Sequence, residues 1–293
     1  MKRTLVSALA AFALLSCQAS QSEAKPIRPA LWKVSDADTT IYLFGTIHLL
    51  PKDLAWQTPK MIAAMRASQG LVLETVMDKN PQATGAIMTQ LGMSAGLPPL
   101  LDRVPADKRD ALQRVVTKSG IPLAVLDKFE TWAAALTLAS AGMRDLPVSA
   151  EYGAEAILAQ RFSGDSKPVS GLETPAQQLG FFDSLPEAAQ RKFLTSIAED
   201  DSSAQAEFNA MIAAWGSGDV KKIALTFDDE LKLSPELTDV LLKKRNANWS
   251  AWIVERMATP GTIFIAVGAG HLAGADSVNA MLTKRGLKVS RLQ

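Results

Sequence analysis

The sequence predicts an α/β protein in which helices flank a central mixed or mostly parallel β-sheet. Short apolar segments typical of strands alternate along the chain with longer segments that have helical spacing. The middle of the chain has a largely helical pattern, and it shows no repeat of about 20 to 50 residues that would indicate a solenoid. We therefore expect a single domain at residues 30–293.

The N-terminal residues are expected to lie outside this domain. Lys2 and Arg3 precede an apolar run that is shorter than the roughly 20 residues needed to span a bilayer. We predict a lipoprotein signal at residues 1–16, with the only cysteine, Cys17, as the lipidated residue. Cleavage after Ala24 by an ordinary signal peptidase is the alternative. Either reading predicts an exported protein, periplasmic or lipid-anchored to the cell envelope, with a tether at residues 17–29.

The strands of the sheet are predicted from short apolar segments bounded by turn residues. The first two surround a turn at residues 35–38. The predicted segments are residues 30–34, 40–45, 70–76, 167–173, 262–268 and 287–292. No other apolar stretch is long enough to cross a membrane.

Helices are predicted where apolar residues recur at intervals of three or four. Thr174 and Pro175 have the residue types of an N-cap and a first helical position, and Gly120 is expected to end an earlier helix. The segment containing Gly85 and Gly92 is expected to be a loop. The predicted helices are residues 59–68, 105–120, 129–143, 151–162, 185–200, 203–219, 234–258 and 275–285, besides the one that begins at Pro175.

Charge and motif content exclude several classes of function. The formal net charge is only +1 and no basic cluster stands out, so nucleic acid is not an expected partner. The chain has no zincin motif, Walker loop, Gly-x-Ser-x-Gly motif or cysteine nucleophile. The sequence does not indicate an oligomeric state.

Four predicted strands are followed by side chains that can bind metals or transfer protons. His48 and His271 are the only histidines, and each ends a Gly-x-x-His motif that is followed by leucine. Glu74 and Glu173 follow two other strands. In open α/β sheets, binding sites form at the carboxyl ends of strands, so these four side chains are expected to converge. We expect the two strands that lead into the histidines to be neighbours, which would bring the imidazoles together.

The glycines of these motifs fit such a site. Gly45, Gly268 and Gly270 would let the backbone turn sharply and approach a bound group closely. A single histidine after a strand is more often a hydrogen-bonded structural residue, but two in matched contexts favour a functional role.

Two imidazoles and one carboxylate can hold a catalytic divalent ion such as Zn, Mn, Co or Fe. Glu74 is the preferred acidic residue because it follows the more clearly buried strand, and a buried carboxylate must be paired or bound. It could instead pair with a lysine. Glu173 could simply precede an N-cap, where the helix dipole favours a negative charge. Arg245 and Asn246 lie on a predicted helix that faces either the solvent or, with Trp249, the interior.

The chain resembles the TraB/GumN family, which is related to the animal TIKI proteins. The motifs that carry this resemblance extend over nearly all of residues 30–293. They are "LWKV", "YLFGTIH", "LE" at residues 73–74, "KPVSGLET", "QL" at residues 178–179, "WGSGD", "RN" with Trp249, and "VGAGHLAG".

The resemblance implies a fold similar to the erythromycin-esterase/ChaN-like group. It also implies a metal-dependent, peptidase-like hydrolase that uses Mn, Co or Zn and acts on a peptide or small molecule. In this sequence the implied metal ligands are His48, Glu74 and His271, with Glu74 alternatively the general base and Arg245 and Asn246 as supporting residues. One departure is Glu155, since the family's Gly-x-Asp is expected at this place.

Two other functions stay open. The ChaN-like group is associated with haem and iron handling, so the chain could be a non-catalytic haem- or metal-binding lipoprotein. Methionine and tyrosine near the site would favour that reading, but Tyr42 and Tyr152 are the only tyrosines. A structural or regulatory protein with a degenerate site is the third possibility, and the intact His48, Glu74 and His271 argue against it.

Overall fold

The structure, a computed structural model, describes residues 27–76, 80–199, 204–231 and 235–293. Its centre is a six-stranded mixed sheet with the strand order β4-β3-β5-β2-β1-β6. The predicted signal segment, Cys17 and most of the predicted tether lie outside the described residues. The strands are β1 (Leu31–Ser35), β2 (Thr39–Thr46), β3 (Leu71–Thr75), β4 (Val169–Glu173), β5 (Gly261–Gly268) and β6 (Val289–Arg291).

The sheet combines a parallel half with an antiparallel edge. Strands β4, β3, β5 and β2 are parallel to their neighbours, whereas β1 pairs antiparallel with both β2 and β6. The turn between β1 and β2 is where the sequence predicts it, and Asp36 stabilises it by accepting a hydrogen bond from the backbone N–H of Thr39 at 2.8 Å. The mixed α/β fold class is confirmed.

Helices cover both faces of the sheet and form the middle of the chain. Among the described residues the α-helices are α1 (Pro59–Ala67), α2 (Pro81–Gly92), α3 (Arg109–Ser119), α4 (Leu123–Leu126), α5 (Thr131–Gly142), α6 (Ala154–Gly164), α7 (Pro175–Asp183), α8 (Glu187–Glu199), α9 (Ala204–Gly216), α10 (Val220–Leu231), α11 (Pro235–Thr238), α12 (Lys244–Arg256) and α13 (Val278–Lys284). A π-helical turn, Asp239–Lys243, joins α11 to α12. Thr174 caps α7 in a capping box with Gln177, and Gly120 ends α3 in the left-handed conformation, as predicted. Within the described residues, no helix is long and apolar enough to cross a membrane.

The loop predicted around Gly85 and Gly92 is wrong, because these residues lie in α2. The side chain of Asn80 caps this helix by accepting from the N–H of Gln82. Gly85 faces open space, and a Cβ at Gly92 would lie 2.9 Å from the Cβ of Ala133. The second glycine therefore allows α2 to approach α5 closely, which outweighs its poor helix propensity. Helix α10 was likewise not predicted.

Among the described residues, the core includes one cluster on each face of the sheet, a third among the helices, and a small fourth cluster formed by Leu185, Ala189 and Leu237. Alternate residues of β2 divide between the first two, since Phe44 packs with Trp56 and Trp215 while Leu43 packs with Trp249. The helical cluster is centred on buried leucines of α3, α5 and α8, namely Leu112, Leu138 and Leu194.

Candidate active site

The two Gly-x-x-His motifs follow neighbouring strands, as the sequence predicts. Strands β2 and β5 pair in parallel, with Gly45 opposite Val267 and Thr46 opposite Gly268. The motifs are therefore displaced by one residue relative to each other. Strand β3, which carries Glu74, pairs with the other edge of β5. His48, Glu74 and His271 thus come from three adjacent strands, and they line one cavity of about 410 Å³.

The motif glycines permit close contacts at this edge of the sheet. A Cβ at Gly45 would lie 3.0 Å from the Cα of Ala269, and one at Gly268 would lie 3.1 Å from Oε1 of Glu74. The backbone N–H of Gly268 donates to that same oxygen at 2.6 Å. Gly270 is buried and also lines the cavity.

Glu74 is buried, and its carboxylate accepts hydrogen bonds from three donors. Besides the N–H of Gly268, its carboxylate accepts from Nη2 of Arg245 at 2.7 Å and from Nε2 of Gln178 at 3.3 Å. Burial alone would raise the pKa of the Glu74 carboxyl group, but the neighbouring His271 ring and Arg245 guanidinium favour the ionised form and lower that pKa to about 2. Its cationic partner is therefore an arginine and not the lysine considered from the sequence.

Arg245 and Trp249 point inward, and they bind the second carboxylate, Glu173. The guanidinium of Arg245 contacts both carboxylate oxygens of Glu173, from Nε to Oε1 at 3.0 Å and from Nη2 to Oε2 at 2.8 Å. Trp249 donates its indole N–H to Glu173 at 2.9 Å and stacks its ring 4.7 Å from the guanidinium carbon. Burial opposes the charge of Arg245, but the two carboxylates raise its pKa above the usual value. Glu173 is thus part of the site and does more than precede an N-cap.

His271 is held in one tautomer by Asn246. The amide Nδ2 of Asn246 donates to the carbonyl of Asp276 at 2.8 Å, so its Oδ1 is the atom that accepts from Nδ1 of His271 at 2.6 Å. Burial lowers the pKa of His271 to about 4, which makes the ring neutral at pH 7. Its Nε2 then carries the lone pair, and it faces Nη1 of Arg245 at 3.2 Å.

His48 lies at the open side of the cavity and pairs with Glu155. Its side chain is 70% exposed, and Nδ1 donates to the Glu155 carboxylate at 2.7 Å. This hydrogen bond raises the pKa of His48 to about 9, so the ring is cationic at pH 7. The hydroxyl of Thr46 donates to the same carboxylate. Glu155 was not predicted as a site residue from the sequence. Its position, where the family's Gly-x-Asp is expected, was the one feature that could have indicated its role.

The donor types at the site fit a divalent metal. Each histidine has Nδ1 hydrogen-bonded to an oxygen, which leaves Nε2 as the metal-binding atom, the usual arrangement of metal-binding histidines. Glu74 adds an ionised carboxylate. In the described part of the chain, however, no group of three His, Cys, Asp or Glu residues is arranged to hold an ion, and Arg245 contacts both Glu74 and His271. The residues therefore match a divalent metal in the chemistry of their donor atoms and not in their arrangement.

The fold and the site define a class: α/β proteins with a buried centre of ionisable groups at the carboxyl ends of parallel strands. The model of the TraB/PrgY/gumN family matches residues 30–291, so the chain belongs to this family. Comparison with curated proteins and with solved structures finds no match. The family assigned from the sequence motifs is confirmed.

Proposed function

We propose that the protein is a metal-dependent hydrolase that cleaves an amide or ester bond in a peptide or small molecule. The observation that supports this most strongly is the presence of His48, Glu74 and His271 in one cavity, on three adjacent strand ends. We include export in the proposal, with the protein either periplasmic or anchored through Cys17, on the basis of the N-terminal sequence alone.

The ligands in this proposal are Nε2 of His48, Nε2 of His271 and the carboxylate of Glu74, and the ion is Mn, Co or Zn. Such an ion polarises a carbonyl group and makes bound water more acidic. A pKa of about 2 keeps Glu74 ionised at pH 7, which suits a ligand better than a general base. His48 must release its Nε2 proton when it binds the ion, because its ring is cationic beforehand.

Other residues of the site act as positioning groups. Asn246 keeps the proton of His271 on Nδ1, so that Nε2 is available to a ligand. Glu155 orients the ring of His48 in the same way. Glu173 draws Arg245 toward itself with three hydrogen bonds, so the guanidinium has a strong partner besides Glu74. Binding of an ion by the three ligands would require Arg245 to release its contacts with Glu74 and with Nε2 of His271.

The test measures bound metal and hydrolysis on the same samples. Wild type and the variants H48A, H271A and E74Q are loaded separately with Mn, Co and Zn, dialysed and analysed for metal, then assayed on peptide and p-nitrophenyl ester libraries. We expect one of the ions to be retained by the wild type, and each variant to lose affinity and activity by roughly 100-fold or more. E255Q is the matched control, because Glu255 is an exposed glutamate of α12 outside the cavity. A wild type that retains none of the three ions would contradict the proposal.

A second candidate function is non-catalytic binding of haem or a transported metal. Met143 and Met211 line the same cavity as the two histidines, and methionine is one of the two residue types expected near the site for this alternative. Titration with haem, followed by absorbance, separates the two functions. A Soret shift that is lost in H48A, in a protein without hydrolytic activity, would favour the binding protein.

A further inference from the structure

The cavity that contains the ionisable residues has a second, apolar side. Glu74, Arg245 and His271 form its floor at the edge of the sheet, and His48 lies at its open side. The rest of its lining is almost wholly hydrocarbon and thioether. Its apolar walls are formed mainly by Leu49, Met143, Phe182, Phe208, Met211 and Leu242.

These apolar walls come from separate helices that meet over the sheet. Phe208 and Met211 are three residues apart on α9, so they face the same side of that helix. Leu242 belongs to the π-helical turn between α11 and α12. The carbonyl of the preceding Leu241 accepts from Nη1 of Arg245 at 3.3 Å, which links the wall directly to the floor. A π-helical turn of this kind is common at functional sites.

Apolar walls of this extent need an apolar occupant. The cavity volume of about 410 Å³ lies within the range of roughly 300–1,000 Å³ found for small-molecule sites. Met143 is 38% exposed, so part of this apolar lining is in contact with solvent. A polar floor beneath apolar walls orients a ligand with its carbonyl group toward the floor and its hydrocarbon group against the helices.

The charges at the floor of the cavity restrict the charge of the ligand group that can bind there. Glu74 and Glu173 share the guanidinium of Arg245, and His48 is already paired with Glu155, so three carboxylates face two cationic partners. An additional buried carboxylate would lack a partner, and burying an unpaired charge is costly. The ligand group at the floor should therefore be neutral.

We propose that this cavity binds a neutral carbonyl compound, an amide or ester, whose large apolar group packs against Met211, Phe208 and Leu242. This rests on the proposed function, since it specifies the substrate class of the same site. The apolar group has two possible sources, an acyl chain or the side chain of a peptide such as leucine or phenylalanine. Both present the same hydrocarbon surface to the walls.

The experiment measures binding without requiring catalysis. Nile red, a neutral dye that fluoresces in apolar surroundings, is bound to the full-length wild type and displaced by hexanamide, octanamide and decanamide. Each buried methylene should strengthen displacement roughly fourfold until the chain outgrows the cavity. Octanoate should compete about tenfold less well than octanamide or worse, because its charge is unpaired. N-acetyl-leucinamide and N-acetyl-phenylalaninamide form the peptide arm, and whichever series binds more tightly identifies the source.

Variants connect this binding to the named walls. M211E and L242E should weaken Nile red binding at least roughly tenfold, whereas V125E should leave it unchanged, because Val125 is an exposed residue of α4 outside the cavity. If M211E does not fold, L242W replaces it, and the added ring should shorten the longest amide that binds. Equal binding in all variants, or tighter binding of octanoate than of octanamide, would overturn the inference. Loss of metal retention and hydrolysis with intact, variant-sensitive dye binding would instead contradict only the proposed function.

Discussion

At the scale of single residues, Arg245 organises the site. Its guanidinium connects Glu74 on β3 with Glu173 on β4, and both carboxylates are almost completely buried. A buried carboxylate without a partner is far less stable than the same group exposed to water. Removing the arginine would leave two such groups at once, so the pairing matters for stability as well as for function.

We predict that R245L lowers the free energy of unfolding by about 3–5 kcal/mol, the usual cost of breaking a buried ion pair. Urea unfolding followed by circular dichroism measures the change. R109L is the control, because Arg109 pairs with Asp102 at 3.0 Å but both side chains are about half exposed. Such a surface pair contributes at most about 1 kcal/mol. Equal losses in the two variants would show that the buried pairing does not stabilise the fold.

At the scale of secondary-structure elements, the position of His48 depends on the start of α6. The N–H of Ala154 donates to the carbonyl of Ile47 at 3.0 Å, so this helix end is bound to the loop that follows β2. His48 is the residue after Ile47 in that loop, and its partner Glu155 is the residue after Ala154 in α6. The contact between the two backbones therefore determines the geometry of the His48–Glu155 pair.

Gly153 is the position at which this contact can be tested. A Cβ there would overlap the backbone carbonyl of His48, which cannot move as a flexible side chain could. We predict that G153A lowers the free energy of unfolding by about 1–3 kcal/mol, as overpacking does, and displaces His48 from Glu155. Urea unfolding and a crystal structure of the variant would check both results.

The control lies at the other end of the same helix. A Cβ at Gly164 would enter open space, with no neighbouring atom within 4 Å, so G164A should change stability by less than about 1 kcal/mol. If G153A is as stable as G164A and keeps the 2.7 Å contact between His48 and Glu155, the proposed backbone constraint is wrong.

At the scale of the whole molecule, the helical middle section and the sheet are joined around the cavity. The segment after β2 pairs with the one that follows α5 through a bridge between Leu50 and Ser149. In the helical section, Gln190 of α8 accepts from the backbone N–H of Trp132, whose indole donates to Asp183 of α7. Since α7 follows β4 directly, these contacts connect the helical cluster to the sheet.

We predict that L112A lowers the free energy of unfolding by about 2–5 kcal/mol, because Leu112 is fully buried in the helical cluster. Far-UV circular dichroism and tryptophan fluorescence should report the same urea midpoint, before and after the substitution. The control is L225A, since Leu225 is 59% exposed and its loss should change stability by about 0.5 kcal/mol or less. Separate midpoints for the two signals would mean that the helical section unfolds by itself.

The sequence by itself determined the strands, the cap of α7 by Thr174 and the neighbouring positions of the two Gly-x-x-His motifs. These follow from local apolar patterns and from the rule that parallel strands end at one edge of a sheet. It also showed Glu74 as a buried carboxylate that needs a partner. The family followed from the same motifs, and its match to residues 30–291 confirms it.

Only the tertiary structure decided which groups meet at that edge. Arg245 is 171 residues from Glu74, and Glu155 is far from His48, so neither pairing leaves a local pattern in the chain. Helix α2 was not predicted for a similar reason. The low helix propensity of Gly92 is visible in the sequence, but its close packing against Ala133 of α5 is visible only in the structure. Hydrogen bonds and close packing act over a few ångströms in space, whereas sequence patterns report only on neighbours along the chain.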